Sequence, residues 1–267
     1  MIVNQLRRIM YEPKVRDVPV DDNALLGIHG AVLREKPLLR SAFETFYTDM
    51  AAYCDRFFKV PGLEVELGTG VGFFKQMRPQ LKTSDVRKGP NIDLELDAQA
   101  MDLPDASVRC VYAINVFHHL PEPEKFFSEL TRVLQPGGGC VLVEPNGEFF
   151  SALVHRHLHT DEHFDPNAEG WKTQDIAGPL SGANQALSYI VFQRDREEFD
   201  RKWGDKLEIV HQGHELNSLR YLLSGGLNFR SLAPSFMTPV IKGLELALSP
   251  LSRFWSLHQV IVIRKRA

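Results

Sequence analysis

The chain has 267 residues, 43% hydrophobic and 24% charged, with 19 Gly, 16 Pro and a formal net charge of -3. These values exclude collagen-like, coiled-coil and largely disordered classes. A slightly acidic chain also lacks the basic field that would hold a nucleic-acid backbone.

The length suits one domain with insertions, spanning 1–267, better than two domains and a linker. Cys54, Cys110 and Cys140 lie far apart with no C-x-x-C pair, which fits a reducing compartment. Charges interrupt the first apolar residues, so no signal peptide is visible. Nowhere do about 18 uncharged apolar residues run together, so no integral membrane segment is expected. A cytoplasmic protein is the resulting expectation.

In chain order, Pro13, Pro19 and Pro37 interrupt residues 1–37, which read as a loose arm. Over 38–58, Leu39, Phe43, Phe46, Tyr47, Met50 and Tyr53 recur at three and four residues, the spacing of a helix. Residues 63–67 read as a strand ending in a glycine turn, and 72–77 as a helix stopped by Pro79. Strands follow at 81–86 and 92–96. Only 87–91 separate them, too few for the helix that usually joins parallel strands, so the third strand should be reduced or oddly placed.

Residues 109–115 are a nearly continuous apolar strand, as when both faces are covered. A helix over 122–134 points Phe126, Phe127, Leu130 and Leu134 inward and is closed by Pro136-Gly137-Gly138. Residues 139–144 form another buried strand. A helix at 193–203 and strands at 207–212 and 258–264 complete the reading, with Pro234, Pro239 and Pro250 breaking the long stretch 213–257. This alternation predicts an α/β fold: an open, mostly parallel sheet with helices on both faces and late insertions.

The most informative segment is Val65-Glu66-Leu67-Gly68-Thr69-Gly70-Val71-Gly72, a strand running through a glycine turn into a helix. A turn at the carboxyl end of a first strand is the usual ligand crevice of such sheets, and glycines let a backbone approach a ligand. A dinucleotide fingerprint needs glycine at the sixth position, where Phe73 stands, and a P-loop needs a Lys-Ser or Lys-Thr that is absent. Glu66, just before the turn, would repel a pyrophosphate and attract a cation.

The run E-L-G-T-G-V-G resembles the first motif of class I S-adenosylmethionine-dependent methyltransferases, and further matches follow in order between about 60 and 145. They are Asp85 at the end of the second strand, Asp97-Ala98, Asp102-Leu103-Pro104-Asp105, Asn115-Val116-Phe117-His118-His119-Leu120, and Leu134-Gln135-Pro136-Gly137-Gly138. The resemblance implies a seven-stranded, Rossmann-like methyltransferase sheet and S-adenosylmethionine as cofactor. Glu66, Gly68, Thr69 and Gly70 would then meet its amino-acid part, Asp85 the ribose hydroxyls, and Asp97 and Ala98 the adenine, with Asn115 and His118 beside it. Asp85 and Asp97 also fit as plain turn formers at strand ends. Of the adjacent histidines, His118 is expected at the cofactor and His119 under a helix.

The resemblance divides the chain into an N-terminal arm and helix (1–58), a cofactor half (60–145), acceptor-site insertions (145–257) and a last strand (258–264). His155, His157, His159 and His163 crowd the first insertion. The run His159-Thr160-Asp161-Glu162-His163 fits H-x-x-E-H, an inverted zinc-protease pattern, but Pro166 and the absence of a helix pattern argue against a zinc protease, and no metal is expected. His159, Glu162 and His163 are instead candidates for the general base at the acceptor; a polar surface loop is the alternative. N-V-F-H stands where base-amino methyltransferases have N-P-P-Y/F. Gly178-Pro179-Leu180-Ser181 and Leu223-Ser224-Gly225-Gly226 resemble a bacterial small-molecule subgroup linked to surface-glycan biosynthesis, which implies a sugar or glycolipid hydroxyl as acceptor. Rival readings are an NAD(P)-dependent oxidoreductase and a non-catalytic binding protein on the same fold.

Overall fold

The computed structural model describes residues 10–19, 21–158, 162–173, 178 and 183–267. Seven strands, β1 (Leu63–Leu67), β2 (Lys82–Asp85), β3 (Leu94–Glu95), β4 (Val108–Ile114), β5 (Leu134–Pro145), β6 (Leu207–His214) and β7 (His258–Lys265), form one sheet. Their order is β3-β2-β1-β4-β5-β7-β6. The first five run parallel, while β7 is antiparallel to both β5 and β6. The chain winds outward from β1 in one direction and from β4 in the other, so the crevice for a ligand lies at the carboxyl ends of these two strands.

The central strands are apolar on both faces because both are covered. Successive side chains point to opposite sides of a sheet. Val111, Ala113, Leu142 and Ile261 therefore join one core, and Cys110, Tyr112, Val143 and Val260 the other. The helices, in chain order, are α1 (Ala24–Glu35), α2 (Pro37–Phe57), α3 (Phe74–Met77), α4 (Pro123–Val133), α5 (Phe149–Leu158), α6 (Leu187–Tyr189), α7 (Arg196–Trp203), α8 (Ser218–Leu223), α9 (Thr238–Ala247) and α10 (Ser252–Trp255). α2 buries Leu39, Phe46, Tyr47 and Met50 in the second core, and α4 buries Phe126, Phe127 and Leu130 in the first.

Three expectations change. The arm 1–37 contains α1, whose Leu25, Leu26, Val32 and Leu33 are buried. Pro19 and Pro37 bracket a proline-free run instead of breaking it, and the Asp22 carboxylate accepts the Ala24 amide at 2.8 Å at its start. The helix expected at 193–203 begins at Leu187 and carries a π turn over Ile190–Arg194, because Leu187, Ile190, Val191 and Phe192 belong to the core. Residues 213–257 hold α8, α9 and α10. The third strand is reduced to Leu94–Glu95, yet it pairs parallel with β2 across a connection without a helix.

Candidate active site

Gly68 and Gly70 both adopt left-handed backbone, with φ of 59° and 54°, which a side chain resists. A Cβ on Gly68 would run into Val116, whereas one on Gly70 would meet only the Gly68 carbonyl oxygen at 4.0 Å. Gly68 thus serves the close approach of the β1 and β4 turns, and Gly70 leaves space open to a ligand. The Thr69 amide donates to the Ser84 carbonyl at 2.9 Å, and its hydroxyl donates to Glu66.

Glu66 is buried, and burial lifts its carboxyl to about 8 against the donors Thr69 and Tyr47. Without a cationic ligand it holds a proton near neutrality; an ammonium or sulfonium nearby would favour the anion. At the end of β2, Asp85 Oδ1 accepts from the Arg87 amide at 3.0 Å and from Arg87 Nε at 3.2 Å, leaving the buried Arg87 Nη1 without a partner. Asp97 accepts the Gln99 amide at 2.8 Å, so it forms a turn and also faces the cavity. Ala98 is buried beside it.

These groups line one side of a continuous cavity of about 860 Å³, a size at the upper end for a small-molecule site. The other side is mainly apolar, with Leu25, Leu33, Phe43, Leu222, Phe229 and Leu257. A polar end closes it. Asn115, itself left-handed at φ 54°, leads from β4 into a turn carrying His118 and His119.

Glu144, fully buried at the end of β5, holds that turn. It accepts the amides of Val116, Phe117 and His118 at 2.9, 2.8 and 3.3 Å and meets His118 Nδ1 at 2.6 Å. Glu162 sits across, 3.5 Å from His118 Nε2 and 3.6 Å from His119 Nε2, and accepts from Gln185 at 2.5 Å. Burial works against charge on His118, but Glu144 and then Glu162 lift its imidazole to about 10. Burial would raise Glu162, yet the bond from His118 and the charge on that ring hold it well below the usual carboxylate range. His118 and Glu162 are therefore both ionised at neutral pH. His118, His119 and Glu162 bring ligand atoms within 4.8 Å of one another, so they could hold a divalent cation, but only one that displaces the His118 proton.

Glu66, Gly68, Thr69, Gly70, Asp85, Asp97, Ala98, Asn115 and Glu162 all line the main cavity, as do His155 and His157. The adjacent histidines exchange their expected places. His119 faces the cavity, while His118 lines a small side chamber of about 70 Å³ and serves the Glu144–Glu162 network. His163 is exposed and engages through its backbone, donating to Ala183 at 3.1 Å and accepting from Gln185 at 2.9 Å. A short parallel bridge joins its backbone to Asn184. His159 lies outside the described residues. Sequence reasoning missed Tyr47, His119, Glu144, Gln185 and Tyr221; only Glu144, an acid ending an apolar strand, carried a local signal.

A family model described as a methyltransferase domain matches residues 61–142. A protein of Mycolicibacterium smegmatis named "Probable S-adenosylmethionine-dependent methyltransferase" is 31% identical over 135 residues, 44% of this chain and 52% of that protein. Phosphatidylethanolamine N-methyltransferase of Cereibacter sphaeroides is 35% identical over 78 residues, 28% of this chain and 38% of that protein. The matches thus span about half, or less, of these relatives. A crystal structure of a SAM-dependent methyltransferase from Archaeoglobus fulgidus is 17% identical, with a TM-score of 0.44 over 84% of this chain and 94% of that one. Residues 61–142 thus match a methyltransferase domain, and the motifs and strand order of the chain are similar to those of class I S-adenosylmethionine-dependent methyltransferases.

Proposed function

We propose that this protein is an enzyme that transfers a methyl group from S-adenosylmethionine to a hydroxyl of a small acceptor with an apolar body, such as a glycolipid. The observation that carries this reading is the single cavity in which the glycine cradle continues into an apolar wall and ends at His119 and Glu162. When bound, S-adenosylmethionine supplies a methyl group already activated on a sulfonium. The chain's work is then alignment, which can lower such a barrier by about 7–11 kcal/mol at best.

Glu66 offers the negative charge for the ammonium and sulfonium, and Asp85 and Asp97 offer acceptors at the next strand ends. At the other end His119 takes the hydroxyl proton as the oxygen attacks. Glu162, fixed by His118 and Gln185, orients the ring and stabilises its cationic form. A carboxylate held as low as Glu162 is itself a poor base, which favours the imidazole for this step. The three buried free cysteines support action in a reducing compartment such as the cytoplasm.

The test is thermal. S-adenosylhomocysteine should raise the melting temperature and NAD should not, since ligands of the native state stabilise by mass action. Equal shifts with both ligands, or none with either, overturn the reading. Labelled methyl should then pass into the lipid fraction of a cell extract; label confined to water-soluble acceptors would refute the apolar body.

A further inference from the structure

Among the described residues, every large apolar side chain recorded as exposed, apart from Met77 and Val86, lies within 149–153 or 232–254. Phe149 is 82% exposed, Phe236 81%, Leu246 70% and Phe254 65%, with Val240 and Leu244 beside them. The elements that carry them are neighbours, for α10 packs against α5 and connects back to α9 through the turn Ser249–Leu251. α9 turns Ile241 and Glu245 inward and leaves its other faces apolar and open. Soluble chains rarely leave such a patch uncovered.

The charges say what covers it. Over 230–257 the cations Arg230, Lys242 and Arg253 are exposed, Arg253 being paired with Glu148 at 2.9 Å and the other two facing solvent. The one acid of that stretch, Glu245, is buried and bound to Arg220 at 2.6 Å. An apolar face rimmed by cations matches an anionic lipid surface, where apolar side chains enter the headgroup boundary and cations meet phosphates. No helix of the described residues is long and apolar enough to cross a membrane, so the face would lie on the bilayer.

The patch also adjoins the cavity, since Leu232 and Arg230 are both exposed and line it. We infer that α5, α9 and α10 dock this protein on anionic membrane surfaces, with the cavity mouth turned toward the lipid. The docking stands on the exposed face alone; that the face delivers a membrane-anchored acceptor rests on the methyl-transfer reading above.

The experiment is co-sedimentation of the full chain with vesicles of roughly 7:3 phosphatidylcholine to phosphatidylglycerol, beside pure phosphatidylcholine. The wild type should pellet with the anionic vesicles and less so at high salt. Phe236→Ser/Leu246→Ser/Phe254→Ser should weaken partitioning at least about tenfold, with melting temperature and its shift by S-adenosylhomocysteine unchanged. Lys242→Glu should weaken binding to the anionic vesicles only. A wild type that ignores both vesicles, a triple variant that pellets as well as the wild type, or a wild-type dimer that the triple variant dissociates would each overturn the docking. Failure to bind S-adenosylhomocysteine would sink the methyl-transfer reading and leave the sedimentation result standing.

Discussion

The side of the cavity proposed for the cofactor takes Glu66, Gly68, Gly70, Asp85 and Asp97 from the carboxyl ends of three adjacent strands. The acceptor side draws on α1, α2, the turn after β4, α5, Glu162 and the segment around Tyr221. In the first, each residue sits where its own strand and turn put it. In the second, His119 and Glu162 meet because β5, β7 and the chain near Gln185 converge on them. Local geometry leaves a readable motif, and convergence of distant segments does not.

The sharpest way to break this contrast is at His119. His119→Ala should lower methyl transfer about 100- to 10,000-fold, the usual cost of a lost general base. S-adenosylmethionine affinity, measured by calorimetry, should change by less than about threefold, since the lost group is assigned to chemistry and not to the cradle. His163→Ala should leave both within about twofold, because that ring is exposed. Full turnover in His119→Ala would move the base elsewhere in the acceptor half.

On the other side, Asp85→Ala should weaken the cofactor by about 1.5–3 kcal/mol, roughly ten- to a hundredfold. It also removes the partner of Arg87 Nε, so the melting temperature should fall too. If only the melting temperature falls, Asp85 is a structural acid.

A further effect is a pH dependence. Glu66 lies at about 8 in the folded protein without ligand, above its ordinary 4.5. Between those values the folded state holds a proton that the unfolded chain has released. The group's contribution to stability is therefore full below about pH 4.5 and is lost as pH rises through 8. A cationic cofactor favours the ionised form, so its affinity should rise with pH across pH 5–8, by at most about tenfold per unit. Calorimetry in buffers of different ionisation enthalpy should detect the released proton. Glu66→Gln should flatten both the affinity profile and the stability slope; an unchanged affinity profile would remove Glu66 from the cofactor site.

Much of the fold was legible because the central strands are apolar on both faces and end in glycine turns. β1 falls where its five residues predicted, and α2, α4 and β4 shift by about a residue. The missing helix between β2 and β3 was legible as simple shortage of chain. α1 was not, because prolines at its borders read as breaks within it. The π turn before α7 was hidden as well, since its apolar run follows burial in the core and not helical periodicity.

The sequence by itself determined the α/β architecture and the strand and glycine turn that hold Glu66, Gly68 and Gly70, because such geometry acts over a few residues. It also placed Glu162 among the acceptor candidates, though with the wrong neighbours. Only the tertiary structure decided that His119 and not His118 faces the cavity, since Glu144 on β5 captures the His118 ring. It alone showed Tyr47 on Glu66, and an apolar face outside the core. Each depends on elements far apart in sequence, whose packing is chosen by the burial of whole faces.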